Sequence, residues 1–153
     1  MARATLDQLP AWATALLERE RIGHLGVLDA RARPRVLPVT YAVCEGAVWT
    51  VVDNKPKQQQ ADELARIRWL RDRPGAALTV DHYEDDWAAL AWVQLVGEVA
   101  ILELGDGAAA LDQLTRRYPQ YSEDPPPGPL LRLAPEHVVW WQAQERSPGR
   151  PGS

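Results

Sequence analysis

The sequence predicts an α+β protein in which a mostly antiparallel sheet forms a small closed or split barrel. Short runs rich in Val, Leu and Thr follow one another across turn-length connections, as in consecutive β-hairpins. Helical stretches stand between groups of strands and do not alternate with single strands, so the βαβ units of a parallel sheet are not expected. A barrel also leaves few exposed strand edges, which suits this number of strands.

The first half of the chain predicts one helix followed by three strands. Residues 8–20 place apolar side chains at helical spacing, namely Leu9, Ala13, Leu16 and Leu17. The three strands are expected over residues 22–29, 35–43 and 47–52, with turn-forming residues at 29–34 and 44–46 between them.

The second half predicts two further helices and the remaining strands. A helix over residues 58–73 has an apolar stripe that includes Leu64, Ile67 and Leu70, and Pro74-Gly75 ends it. Strands are expected over 76–82 and 92–104, the second interrupted by a bulge or bend at Gly97. A helix over 106–118, a proline-rich loop over 119–129 and a closing strand or pair of strands at 130–133 and 137–142 complete the chain.

Composition limits the classes of protein that the chain can belong to. Its 153 residues suit a single domain over residues 1–144, with 145–153 expected to be a disordered tail. No apolar run approaches the roughly 20 residues of a membrane span. The single cysteine, Cys44, fits a reducing compartment, and the net charge of -4 argues against nucleic-acid binding. A soluble cytoplasmic protein is expected.

The only two lysines, Lys55 and Lys57, stand directly before a predicted helix. A helix N-terminus favours anions because its first N–H groups are unpaired and its dipole is positive there. The pair therefore predicts a phosphate or carboxylate site, although two solvated loop lysines would give the same pattern.

A proline within the second predicted strand, Pro38, marks an edge or a place where pairing stops, since proline cannot donate to the ladder. Backbone left open there can contact a planar ligand, with the Thr40 hydroxyl beside it. Edge prolines that only protect against aggregation are the alternative.

The acidic segment 81–87 combines His82 with four carboxylates. Its residues are consecutive, so they are not expected to converge on one metal ion, and no metal site is predicted. A solvated loop, or closure of Tyr83 or Trp87 over a ligand, remains open. Serine occurs only in a proline-rich loop and the tail, which argues against a serine hydrolase, and no catalytic side chain is assigned.

Five segments, taken in order, resemble the pyridoxamine 5'-phosphate oxidase-like family of FMN-binding split barrels. They are residues 21–29, 33–40, 52–57, 80–87 and 117–121. The segments at 52–57, 80–87 and 117–121 look closest to the actinobacterial-type branch that depends on the deazaflavin coenzyme F-420. The resemblance extends over roughly residues 5–143, and it is the order and spacing of the segments that make it specific.

This resemblance implies a homodimer of six-stranded split barrels with the coenzyme in a groove at the subunit interface. It implies that three groups of residues bind the coenzyme: Pro38, Val39 and Thr40 with Thr50 and Val51 along the ring, Lys55 and Lys57 at the phosphate, and Trp87 and Trp92 as wall or lid residues. One departure is that the helix opens with Gln58, Gln59 and Gln60 where relatives carry basic residues. Binding of a polyglutamate tail is therefore in question.

The resemblance implies an oxidoreductase that moves a hydride between F-420 and an unknown small organic substrate. An FMN-dependent reductase or oxidase of the same fold is the first alternative. A non-catalytic carrier of flavin, deazaflavin or haem is another, and a haem carrier would need His24, His82 or His137 as an axial ligand. A barrel that has lost ligand binding is the last.

Overall fold

A computed structural model describes residues 6–54 and 57–143, and the side chains of residues 57–63 fall outside that description. The predicted tail, 145–153, also lies outside the described residues. The elements are α1 (Ala11–Arg19), β1 (Gly23–Leu28), β2 (Pro34–Val39), β3 (Ala42–Cys44), β4 (Ala47–Val51), α2 (Lys57–Asp72), β5 (Gly75–His82), β6 (Ala91–Leu102), α3 (Ala108–Arg117), α4 (Gln120–Glu123) and β7 (Leu130–Gln142). Short 3-10 helices occupy Leu6–Gln8, Trp87–Ala89 and Leu104–Gly107.

The strands form one curled antiparallel sheet, a half-barrel, in the order β2-β1-β5-β6-β7-β4-β3. The predicted α+β class and the antiparallel pairing are confirmed. The predicted count of six strands is wrong, because the sheet has seven. The expected strand over residues 35–43 is two strands, β2 and β3, which form opposite edges of the sheet.

The break between β2 and β3 follows from the contacts of Tyr41. Its backbone N–H donates to the Tyr118 hydroxyl at 3.1 Å and so does not join a strand ladder. Its fully buried side chain donates from the hydroxyl to backbone carbonyls at the end of α1, with Leu17 at 2.7 Å and Glu20 at 2.9 Å. The chain therefore leaves one edge of the sheet at Val39 and begins the other edge at Ala42.

Side chains fill the interior of the half-barrel. The residues of one small internal cavity, of about 10 Å³, include Leu25, Leu78, Val99 and Leu131. Such a space holds at most about one water molecule. This part of the interior therefore cannot take an organic ligand.

The longest pairing joins β6 and β7, and its register shifts between Val96 and Gly97. The bulge predicted at Gly97 is confirmed. A Cβ atom on Gly97 would lie 2.0 Å from the carbonyl oxygen of Ala134, so only glycine allows the two backbones to approach this closely. β7 is one continuous strand, not a pair of strands.

The helices cover the sheet with the apolar faces that their spacing indicates. Leu9, Ala13, Leu16 and Leu17 are buried in the main core, as predicted. In α2, Ile67 and Leu70 are buried. Leu64 of the predicted apolar stripe is instead 58% exposed, whereas the charged Arg66 is buried. Within the described part of the chain, no helix is long and apolar enough to cross a membrane.

Candidate functional site

A cavity of about 220 Å³ lies between β2 and β4, close to the link that joins the two edges of the sheet. We call this region the seam. Residues from β2, from β4 and from four neighbouring segments line the cavity: Pro38, Val39, Thr40, Thr50, Val51, Asp53, Ile22 and Arg66.

The cavity brings together all five residues that the sequence associates with a planar ring. Pro38 and Val39 end β2, Thr40 follows them, and Thr50 and Val51 end β4. Pro38 lies on an edge strand, as predicted. No described strand of the sheet pairs with the outer side of β2, so the missing N–H of Pro38 costs no hydrogen bond there.

The walls of the cavity are both apolar and polar. Ile22, Pro38, Val39 and Val51 supply aliphatic surface, while the two threonines, Asp53 and Arg66 supply hydrogen-bonding groups. Small-molecule pockets usually measure roughly 300–1,000 Å³. The volume at the seam therefore suits the ring of a coenzyme better than a whole coenzyme with its tail.

The Tyr121 hydroxyl forms hydrogen bonds with two of the polar residues that line the cavity. The Tyr121 hydroxyl in α4 lies 2.7 Å from Thr40 Oγ1, and it donates to Asp53 Oδ2 at 3.2 Å. Tyr121 is 7% exposed, and its burial raises the pKa of its hydroxyl to about 12. The phenol therefore stays protonated across the physiological range.

Sequence reasoning missed four residues of this site, namely Ile22, Asp53, Arg66 and Tyr121. Arg66 carried a signal, since it stands four residues before Leu70 on the apolar face of α2, where a charged side chain is rarely buried without a role. Asp53 follows a strand whose five residues are all buried. Tyr121 gave no signal, because its approach to Thr40 depends on how α4 packs.

The other predicted binding residues do not line this cavity. Lys55 lies outside the described residues, and Lys57 begins α2 with its side chain outside them. Trp87 is 69% exposed in a 3-10 helix. Trp92 of β6 lines a different surface, so its role and that of Trp87 as wall or lid residues stay predictions.

A groove of about 620 Å³ crosses the outer face of the sheet. Trp92, Val36, His24 and Asp81 are among the residues that line it, together with the small residues Gly26 and Ala77. His24 Nδ1 lies 3.9 Å from the Asp81 carboxylate, and His24 pairs with Pro38 across β1 and β2. The groove therefore begins one strand away from the seam.

In the acidic segment 81–87, His82 lies between two carboxylates. Its Nδ1 is 2.7 Å from Glu20 and its Nε2 is 2.6 Å from Glu84. The carboxylates are on opposite sides of the imidazole, which fits an ion pair and not a metal site. Among the described residues, no three potential ligands converge to hold a metal.

We expect His82 to stabilise the fold only when it is protonated. The hydrogen bonds to Glu84 and Glu20 raise the pKa of His82 above its ordinary 6.5. The stabilisation is therefore complete below about pH 6.5 and is lost as the pH rises through the raised pKa.

Thermal unfolding between about pH 5 and 9 should show that His82→Gln lowers Tm most at the acidic end. The variant His137→Gln, at an exposed position of β7, controls for the replacement of a histidine by glutamine. A Tm difference for His82→Gln that grows with pH would contradict this prediction.

Fold and site together define a small α+β half-barrel with a ring-sized cavity at the seam. Solved structures share this fold. A conserved hypothetical protein from Mycobacterium tuberculosis matches with a TM-score of 0.71 and 18% identity, over 100% of this chain and 95% of that one. A haem-binding protein from Mycobacterium smegmatis matches with a TM-score of 0.68 and 22% identity, over 90% and 57%. An F420 reductase matches with a TM-score of 0.60 and 20% identity, over 86% and 98%.

At these identities the likeness shows a common fold. No protein-family model matches the sequence. No curated protein matches it significantly.

Proposed function

We propose that this protein binds the ring of a flavin-type coenzyme in the cavity at the seam, with the deazaflavin F-420 as the first candidate and FMN as the alternative. In this proposal it is an oxidoreductase of the pyridoxamine 5'-phosphate oxidase-like kind that acts on a small organic substrate. The bound coenzyme would supply the hydride chemistry. The fold shared with an F420 reductase supports the proposal.

One observation carries the proposal. Five residues that resemble ring-binding positions come from two separate parts of the sequence, and they line a single cavity of the size of a ring system. This convergence depends on the chain crossing from β2 to β3, which no pattern in the sequence indicates. The lining also combines aliphatic and polar side chains, as a tricyclic ring with an apolar and a polar end requires.

The residues of the seam would bind and orient the ring. Val39, Val51 and Thr50 are each less than a tenth exposed, so they form a rigid wall that excludes water from one face of the ring. Arg66, 6% exposed, would place a positive charge at the polar end. We assign no residue to acid–base catalysis.

The coenzyme tail would extend from the seam towards Lys55 and Lys57, which we propose as the phosphate site. We also propose a homodimer. Exposed apolar side chains support it, since Trp140 and Trp141 are 40% and 45% exposed. Contact with a second copy would remove this apolar surface from water.

Haem carriage is a second candidate, and the outer groove favours it. His24 lines that groove, whose volume of about 620 Å³ exceeds that of the seam cavity. His82 is less suitable as an axial ligand, because carboxylates occupy both of its ring nitrogens. The fold shared with a haem-binding protein is consistent with this candidate.

A pair of tryptophan substitutions separates the two sites. Ile22 and Val36 are both exposed aliphatic residues, 43% and 66% exposed, and one lines the seam cavity while the other lines the outer groove. Ile22→Trp should fill the mouth of the cavity and weaken coenzyme binding at least about tenfold, a loss of roughly 1.4 kcal/mol. Val36→Trp should leave that affinity unchanged. Fluorescence titrations of the full chain with F-420 and FMN measure both.

Titration with haemin, followed by its Soret band, completes the same experiment. A Soret shift that Val36→Trp abolishes and Ile22→Trp preserves, without coenzyme binding, would favour haem carriage. Binding of F-420 alone would establish the coenzyme, and binding of FMN alone would move the protein to the alternative. If the wild-type chain binds neither coenzyme, the proposed function is wrong.

A further inference from the structure

Tyr121 contacts two residues of the cavity wall but is not one of the residues that line the cavity. Its hydroxyl joins Thr40, at the end of β2, to Asp53, after β4. The three groups therefore form one hydrogen-bonded chain across the seam. The directions of the Tyr121 and Thr40 O–H groups decide whether the Thr40 hydroxyl can donate a hydrogen bond to a ligand or only accept one.

Elementary hydrogen-bond counting fixes that direction. An ionised carboxylate can only accept, so the single proton of Tyr121 goes to Asp53 Oδ2. The short contact of 2.7 Å to Thr40 Oγ1 must then use the proton of Thr40, with Tyr121 as the acceptor. With its proton committed, the Thr40 hydroxyl has only lone pairs left for a ligand.

We infer that Tyr121 is a positioning residue that holds the Thr40 hydroxyl as a hydrogen-bond acceptor, so that the cavity selects rings that present an N–H donor. This inference rests on the proposed function and deepens it. Arg66 also lines the cavity, and its guanidinium carries N–H donors and no acceptor.

That combination complements an imide edge, in which an N–H stands between two carbonyl groups. Flavin and deazaflavin rings have this edge, and a porphyrin has none. The cavity is therefore selective for the pyrimidine end of such a ring. A ring whose imide nitrogen carries a methyl group loses the N–H donor, so the lone pairs of the Thr40 oxygen receive no hydrogen bond from the ligand.

The test compares rings with and without that donor. The full chain is titrated with FMN and with an 8-hydroxy-5-deazaflavin ring, each beside its N3-methyl derivative. We expect the wild type to bind the better N–H ring about 10- to 100-fold more tightly than its methyl derivative, since an unmade buried hydrogen bond has that effect. Binding is read by ligand fluorescence and by calorimetry, independently of any catalytic activity.

The variant Tyr121→Phe separates proton direction from the bulk of the methyl group. Without the phenol, the Thr40 hydroxyl can rotate, so it can donate to a carbonyl of the methylated ring as well as accept from an N–H. The preference for the N–H ring should therefore fall below about threefold. If bulk alone caused the preference, Tyr121→Phe would retain it. Thr115→Ala is the control for loss of a hydroxyl, because the Thr115 hydroxyl donates to the Leu111 carbonyl within α3 at 2.8 Å. It should keep the full preference.

Thr40→Ala gives a second route to the same result if Tyr121→Phe folds poorly, since it removes the acceptor itself. A wild type that binds both members of each pair equally would overturn the inference and leave the proposed function intact. So would a preference that survives in Tyr121→Phe and in Thr40→Ala. Failure of the wild type to bind either N–H ring would remove the proposed function, and the inference with it.

Discussion

Replacing Arg117 with alanine is expected to lower the free energy of unfolding by about 3 kcal/mol, because one guanidinium satisfies three backbone carbonyls. Its Nη1 donates to Glu18 at 2.8 Å, its Nη2 to Glu20 at 2.7 Å and its Nε to Tyr41 at 2.9 Å. Glu18 and Glu20 are at the end of α1, where carbonyls lack helical partners. Without Arg117, the carbonyls of Glu18 and Glu20 and that of Tyr41 in the β2–β3 link lose the hydrogen-bond donor that they share.

Thermal unfolding measures this effect, and the expected decrease in Tm is about 6–12 °C for a chain of this size. Arg116→Ala is the matched control, since Arg116 is 71% exposed and forms only a surface ion pair with Asp112 at 3.0 Å. It should cost less than about 0.5 kcal/mol. Arg117→Lys should not restore stability, because an ammonium cannot reproduce the planar fork that reaches three carbonyls. Equal effects of the two alanine substitutions would refute the role given to Arg117.

Gly97→Ala is expected to be similarly disruptive, at about 3 kcal/mol, although it adds only one methyl group. That methyl would lie 2.0 Å from the Ala134 oxygen and 3.2 Å from the Glu136 nitrogen. Both are backbone atoms, so relief requires the central β6–β7 pairing to separate.

Chemical denaturation with urea gives the free energy of unfolding for this variant. Gly105→Ala is the control, since a Cβ there would meet nothing within 4 Å. It should be neutral, or slightly stabilising through the lower entropy of the unfolded chain. If Gly97→Ala is tolerated as well as Gly105→Ala, the close approach at the bulge does not limit the fold.

The elements that the sequence predicted well are those with a local physical signal. Short runs rich in Val, Leu and Thr indicated β1, β5 and β6, and an isolated glycine within a long strand indicated the bulge at Gly97. Pro38 indicated an edge, because proline is excluded from the middle of a sheet. Each of these signals lies within a few residues of the feature that it predicts.

The break at Thr40 and Tyr41 was missed because its cause is distant in the sequence. Residues 36–43 are apolar except for Thr40, and the Tyr118 hydroxyl, Arg117 and the end of α1 hold Tyr41 out of the ladder through hydrogen bonds. For the same reason the cavity could be predicted in part. Its strand residues belong to recognisable segments, whereas Arg66 and Tyr121 reach it through packing of α2 and α4.

The link at Thr40 and Tyr41 also bears on how the chain folds. It makes the two outermost strands of the sheet neighbours in sequence, so bringing the edges of the half-barrel together closes a loop of only two residues. The entropy lost in closing a loop grows with its length, and here it is minimal. We expect the β1–β2 and β3–β4 hairpins to form early and to set the curvature of the sheet. The strand β7, which is distant in the sequence, should pair later, with strands that are already curved.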